Sequence, residues 1–463
     1  MGLPFFSPST ISPMIWRNGW RCFEVKAVVQ EKWTAESILK HFEALTPDPS
    51  WSFAGLTQRQ TNYATHGYHR YPAKFIPQLA ARLISDFSAE GALVVDPFMG
   101  SGTALVEAKL HRRPSVGVDI NPVAYLVTKA KVTPIEPVCL RSAITSLEKS
   151  LREHEQPSLF ILRERLEETL VEQRLDYWFP PNVKSELIRL HGAIENLPDE
   201  DLRYFFRCAL SHILKPCSWW LNRSVKPTRD FKKRIPSPIQ TFFQHVRRME
   251  SGNQQFWDLL RRNNALDVPA KPYCADARQP PLPSESAQLI ITSPPYVTSY
   301  EYADLHQLTV LWYRTATDLR EFRRQFIGTA SCDGKPVFTG SQIAEAIVTA
   351  LEERNKKKAH EVAVYFTEMR ECFIEMWRVL KRGGYACIVI GNTRLCGVEI
   401  LNAQVFVEQM LSLGFELHEI ILREIPSKIL PRTRDQKTGK FAKVSEADYI
   451  AYPHEFILVL RKS

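Results

Sequence analysis

The sequence predicts an α/β fold, a Rossmann-like sheet interrupted by a mainly helical insertion, from three observations. Between Ala92 and Asp119 a short apolar run ends in an acid, passes through a glycine-rich turn into a helix, and is followed by a second apolar run ending in another acid. That grammar disappears between about Leu140 and Asn264, where long charged and apolar helical stretches take over. It resumes at QLIITSPPY, and the strands ELHEIILREI and EFILVLRK complete the sheet with an antiparallel-looking end. Strands that alternate with helices build a mostly parallel sheet with both faces covered.

Taken in order, residues 1–60 read as an N-terminal extension with one helix-like stretch from Trp33 to Leu45. Residues 61–139 form the first part of the sheet domain. Pro77 opens an amphipathic helix that carries Leu79, Leu83 and Phe87 on one face. Ala92 to Val95 reads as a buried strand, PFMGSGTALVEAKL as a glycine turn opening a helix, and Ser115 to Ile120 as the next strand. Residues 140–264 are the helical insertion, in which an aromatic-rich helix gives way to a basic, proline-interrupted loop. Residues 265–463 complete the sheet domain, with additional recognition loops expected at 297–360. From Glu361 a helix lines up Val362, Phe366, Met369, Phe373 and Met376, and KRGG is expected to end it.

Hydrophobic residues make up 44% of the 463 and charged residues 24%, a balance that excludes a disordered or coiled-coil chain. A formal charge of +9 is compatible with a polyanionic partner without naming one. The nine cysteines include no CxxC pair, which argues against a zinc module or a disulfide scaffold and suits a reducing compartment. His66 and His69 are two ligands at most, so no metal site is expected. MGLPFFSPST carries no basic leader and no stretch reaches about 18 apolar residues, so the expectation is a cytoplasmic protein without a membrane anchor.

Two motifs carry chemistry. In DPFMGSGT, Gly100 and Gly102 permit a tight turn and close backbone approach, and the following helix presents its free amides. Asp119 follows Asp96 at about the 20-residue offset of an acid that binds ribose hydroxyls. Neither GxGxxG nor GxxxxGK is present, which weakens NAD and ATP readings. In TSPPY, Ser293 can accept a hydrogen bond from an amine, the Pro294 carbonyl is free to do the same, Pro295 stiffens the loop, and Tyr296 can stack on a planar base.

In this order the residues Asp96 to Thr103 and Thr292 to Tyr296 resemble the amino-methyltransferases of DNA. The likeness covers roughly Tyr68 to Thr128 and Tyr273 to Lys462, with an unusually long separation between the motifs. It implies an S-adenosylmethionine-dependent methyltransferase sheet. Asp96, Phe98, Gly100, Gly102 and Thr103 would lie beside the methionine portion, Asp119 at the ribose and Asp276 near the adenine. Lys74 and Phe75 resemble an additional cofactor-side motif near the methionine tail. Ser293, Pro294, Pro295 and Tyr296 would hold a base turned out of the duplex for direct methyl transfer to its exocyclic amine. A serine at 293 resembles the cytosine-N4 enzymes; adenine N6, and behind it an RNA amine, are the alternatives. Cytosine C5 chemistry would need a Pro-Cys nucleophile, and Pro216-Cys217 lies in the helical insertion, where a structural role fits better. Duplex DNA is the implied partner, with a cognate restriction system as a possible companion and no protein partner identifiable. Arg223, Lys226, Arg229, Lys232, Lys233 and Arg234 are the candidate phosphate contacts.

Overall fold

The computed structural model describes residues 33–72, 74–153, 170–224, 226–297, 302–329, 337–425, 433–434, 449–450 and 454–463. Most of the N-terminal extension, 1–32, lies outside them, and the rest carries α1 (Ala35–Glu43). Seven strands form the main sheet: β1 (Val94–Asp96), β2 (Ser115–Asp119), β3 (Ala270–Cys274), β4 (Ala287–Thr292), β5 (Leu380–Ile390), β6 (Phe415–Glu424) and β7 (His454–Lys462). Their spatial order is β3-β2-β1-β4-β5-β7-β6. The first five are parallel, and β7 runs antiparallel between β5 and β6. The direction of winding reverses between β1 and β4, so the sheet has its switch point there, where α/β sheets open a crevice at the carboxyl ends of the strands.

The apolar runs alternate between two cores. Val95, Val116, Ile290, Ile388 and Leu458 face one side, while Val94, Leu289, Ile291, Val389 and Ile457 face the other. Successive side chains of a strand point to opposite faces, so a run apolar at every position needs helices on both. On the first face lie α12 (Gln342–Glu352), α13 (Lys356–Val379) and α14 (Asn402–Ser412). The stripe Val362, Phe366, Met369, Phe373 and Met376 is buried there as expected. On the second face lie α2 (Pro77–Phe87) and α3 (Thr103–Leu110).

KRGG does not end α13. The helix stops at Val379, Leu380 is already extended, and Lys381 to Gly384 belong to β5. The β4–β5 register shifts in this stretch, and a Cβ on Gly384 would lie 2.7 Å from the Gln288 carbonyl oxygen. The glycine therefore serves an irregular strand entry with close backbone approach, not a helix cap.

The insertion is helical as read: α5 (Pro137–Glu153), α6 (Leu170–Trp178), α7 (Pro181–Glu195), α8 (Glu200–Leu214) and α9 (Pro238–Arg262), following α4 (Pro122–Val132). These share a core with α10 (Tyr302–Leu305) and α11 (Gln307–Trp312), through Ala303, Leu308, Val310, Leu311 and Trp312. The 297–360 stretch expected as recognition loops thus divides, its first helices completing the insertion's core and α12 packing on the sheet. Among the described residues no helix is long and apolar enough to cross a membrane.

Candidate active site

The glycine turn leaves β1 at the switch point. Gly100 (φ +47°) and Gly102 (φ +71°) adopt left-handed conformations, and a Cβ on Gly102 would lie 2.5 Å from the Thr128 methyl. Only glycine fits a turn that is left-handed and crowded at once. Gly102 caps α3 without a side-chain hydrogen bond, which leaves the helix N-terminus to a ligand. Ser101 Oγ and Thr103 Oγ1 are buried without a partner among the described residues. Two orphaned hydroxyls beside free amides fit a small polar ligand.

Asp96 and Asp119 end neighbouring strands on this crevice. Asp96 Oδ1 accepts from the Phe98 amide at 3.1 Å and from the Thr292 hydroxyl at 2.7 Å. Burial, with the Asp119 charge adding to it, raises its pKa to about 7 against the lowering effect of those bonds. Asp119 accepts from Gly100 N at 2.9 Å and Asn121 N at 2.9 Å, and burial holds it at about 6. Asp276 sits just beyond β3 but is clasped by Arg278, which also pairs with Glu368. Lys74 turns back toward its own segment, donating to Asn62 Oδ1 at 2.6 Å and the His66 carbonyl at 3.1 Å. Burial lowers it to about 8. Phe75 packs on the second-face core, and Phe98 on the first.

The TSPPY loop leaves β4, the strand beside β1. Its link to the glycine turn is the Thr292–Asp96 hydrogen bond. Ser293 is half-buried, and its hydroxyl makes no hydrogen bond among the described residues. The Pro295 carbonyl accepts from Tyr365 at 2.8 Å, pinning the loop to α13. Tyr296 packs against the first-face core, and a Cβ on Gly391 would lie 3.3 Å from its ring, so one side of the ring is braced by β5's end.

A second wall joins side chains that the sequence did not group, although Tyr302 could be read there as a brace for the reaction loop. Tyr71 stacks on Tyr302 with centroids 6.0 Å apart, lies 4.9 Å from the His306 ring, and closes over Gly100. Asn121 Nδ2 meets His306 Nδ1 at 2.7 Å while the Asn121 oxygen caps α4. The run HRYPAKF and the Asn-Pro helix start carried signals for Tyr71 and Asn121; nothing local marks His306, which arrives from beyond the insertion. His66 and His69 are structural, His66 meeting Glu107 at 2.6 Å and His69 bonding the Arg70 carbonyl and Ser211. No group of three or more metal-ligating side chains exists among the described residues.

The basic run sorts into two sets. Lys233 Nζ donates to the carbonyls of Lys215, Ser218 and Trp220 at 3.0, 2.7 and 2.6 Å, and Arg229 is half-buried over aromatic rings. Arg223, Lys226, Lys232 and Arg234 are exposed.

The profile of a family described as DNA methylase matches residues 19–130 and 287–463. The chain belongs to this DNA methylase family. The matched stretches contain both motifs, and the helical insertion falls between them. The methylase is 28% identical over 438 residues to the type II methyltransferase M.MvaI of Kocuria varians, covering 88% of this chain and 93% of that one. It is 23% identical over 462 residues to the type II methyltransferase M.BsoBI of Geobacillus stearothermophilus, covering 84% and 85%. A solved S-adenosylmethionine-dependent methyltransferase from Methanosarcina mazei aligns over 85% of this chain and 98% of its own, at 9% identity and a TM-score of 0.30.

Proposed function

We propose that this DNA methylase transfers a methyl group from S-adenosylmethionine to the exocyclic N4 amine of cytosine in duplex DNA, as the modification partner of a restriction system. The observation that carries the reading is the Thr292–Asp96 hydrogen bond, which sets the reaction loop and the glycine turn side by side at the switch point. The two type II relatives support the restriction role. Bound against the glycine turn, the cofactor supplies a methyl group on a sulfonium, an electrophile that needs no metal.

The chain's own residues bind and orient. Asp119 offers its remaining lone pairs to the ribose, and the α3 amides with Ser101 and Thr103 offer donors to the cofactor's polar groups. Ser293 Oγ, without a hydrogen bond among the described residues, accepts a hydrogen from the target amine and directs its lone pair toward the methyl group. Tyr296, braced on one side, supports the base plane. Holding amine and methyl in line accounts for most of the rate, with the proton leaving to solvent afterwards. A serine in this place supports cytosine; the aspartate of the adenine-like pattern is absent.

The test is nucleoside analysis after incubating unmodified plasmid DNA, or RNA, with labelled cofactor. N4-methylcytosine in DNA is the expected product, and Ser293→Ala should lower single-turnover transfer by about 100-fold while leaving cofactor affinity intact, as for loss of a group used at the reacting centre. N6-methyladenine, or label in RNA alone, would overturn the assignment.

A further inference from the structure

The described residues of the loop between α8 and α9, which holds the basic run, are tied together by backbone hydrogen bonds. Trp220 and Arg229 form an antiparallel bridge, Leu221 N donates to the Thr228 carbonyl at 2.9 Å, and Asp230 N to the Trp219 carbonyl at 2.9 Å. Lys233 ties three carbonyls at its root. On this frame the Arg229 guanidinium lies 4.1 Å from the centre of the Tyr177 ring, 4.5 Å from Trp219 and 4.1 Å from Phe231. Phe231 is nevertheless 66% exposed.

The same loop carries Arg223, Lys226, Lys232 and Arg234, all exposed and none in an ion pair among the described residues. Asp230, the acid of the stretch, is occupied by the Lys232 amide at 2.9 Å. Exposed cations and an exposed apolar ring on one loop complement a partner that is both polyanionic and rich in flat apolar faces, which is a nucleic acid. The root of the loop lies near the crevice: at the end of α8, Ser211 meets His69 at 3.0 Å, two residues before Tyr71, which closes over Gly100.

We infer that Phe231 is a nucleobase-stacking site, its ring lying on a base of duplex DNA beside the gap opened when the target turns out, while the four cations hold the flanking phosphates. Turning a base out leaves its neighbours unstacked, and an aromatic wedge recovers part of that loss. The Arg229 cage restrains the ring beforehand, so little side-chain freedom is lost on contact. The inference rests on the duplex-DNA reading above.

The experiment uses the full chain, Phe231→Ala and Phe231→Trp. The probes are amplified, unmodified plasmid fragments and the same fragments with 5-iodouracil in place of thymine, which photo-crosslinks to aromatic side chains lying against bases. Crosslinks should map to Phe231. At limiting DNA the alanine variant should incorporate methyl about 10-fold more slowly and the tryptophan variant within about 3-fold of the parent, in keeping with loss and retention of one base–ring stack. The KM for cofactor and the salt dependence of duplex binding should not change. Crosslinks that map only elsewhere, or an alanine variant whose defect is a flattened salt response, would overturn the stacking site. A parent chain that methylates no DNA would instead refute the functional reading, and the crosslink map would still decide the stacking site.

Discussion

Asp119 spends both oxygens on backbone amides, yet burial still raises its pKa to about 6, and Asp96 beside it to about 7. A protonated acid loses acceptor capacity, so cofactor affinity should rise from pH 5 to about 7.5 and then level off. The stability of the free protein should move the other way. An acid whose folded pKa is raised contributes stability that is fully present below its unfolded value near 4 and is lost as pH rises through the folded value. Calorimetric titration across this range checks the first, and thermal melts with and without cofactor check the second. Asp119→Ala should weaken binding by ~1–3 kcal/mol and flatten its dependence above pH 5. An affinity independent of pH in the parent would remove Asp119 from the ribose. Both acids were legible because each ends an apolar strand; the Tyr71, Tyr302 and His306 wall was not, because its members come from segments separated by the insertion.

At the scale of elements, six similar charges on one loop have different work. Lys233 is a structural clamp, and Lys233→Met should cost about 1–3 kcal/mol of stability by leaving carbonyls unsatisfied, with the salt response of DNA binding unchanged. Neutralising Arg223, Lys226, Lys232 and Arg234 together should leave stability nearly unaltered. If all four meet phosphates, the log-affinity against log-salt slope should shrink by roughly 3 to 4, at ~0.9 per contact on B-form DNA. Denaturant unfolding and salt titration of duplex binding separate the two sets. The reverse pattern would place the DNA path elsewhere. KRGG teaches the same lesson: a composition that ends helices was used to enter a strand, because the β4 backbone approaches there.

Across the whole molecule, α9 couples the two parts. Phe242, Val246 and Met249 belong to the insertion's core, while Phe256 and Leu260 belong to the second face of the sheet. Between them Gly252 packs on residues 64–68: a Cβ would lie 2.5 Å from the Ala64 carbonyl oxygen and 3.1 Å from the Tyr68 ring. Helix propensity alone favours alanine here by ~1 kcal/mol. The contact should reverse the sign, with Gly252→Ala losing about 1–3 kcal/mol in urea unfolding. Cofactor affinity should fall as well, because the displaced segment leads into Tyr71. Equal or greater stability in the variant would show that the two layers are free to move apart.

What the sequence determined by itself was local or periodic: strands apolar at every position and therefore buried on both faces, a left-handed turn that admits only glycine, a helical block without sheet grammar, and the order of the two motifs. Those features follow from steric and hydrophobic demands within a few residues. Tertiary structure alone decided that Lys233 clamps the loop while Lys232 is exposed, that α10 and α11 serve the insertion's core, that Asp276 is clasped by Arg278, and that His306 reaches Asn121. Each of these depends on which distant backbone or charge comes within a few ångströms, and that proximity is a property of the packed chain, created when helices from the two ends of a long insertion close over the same crevice.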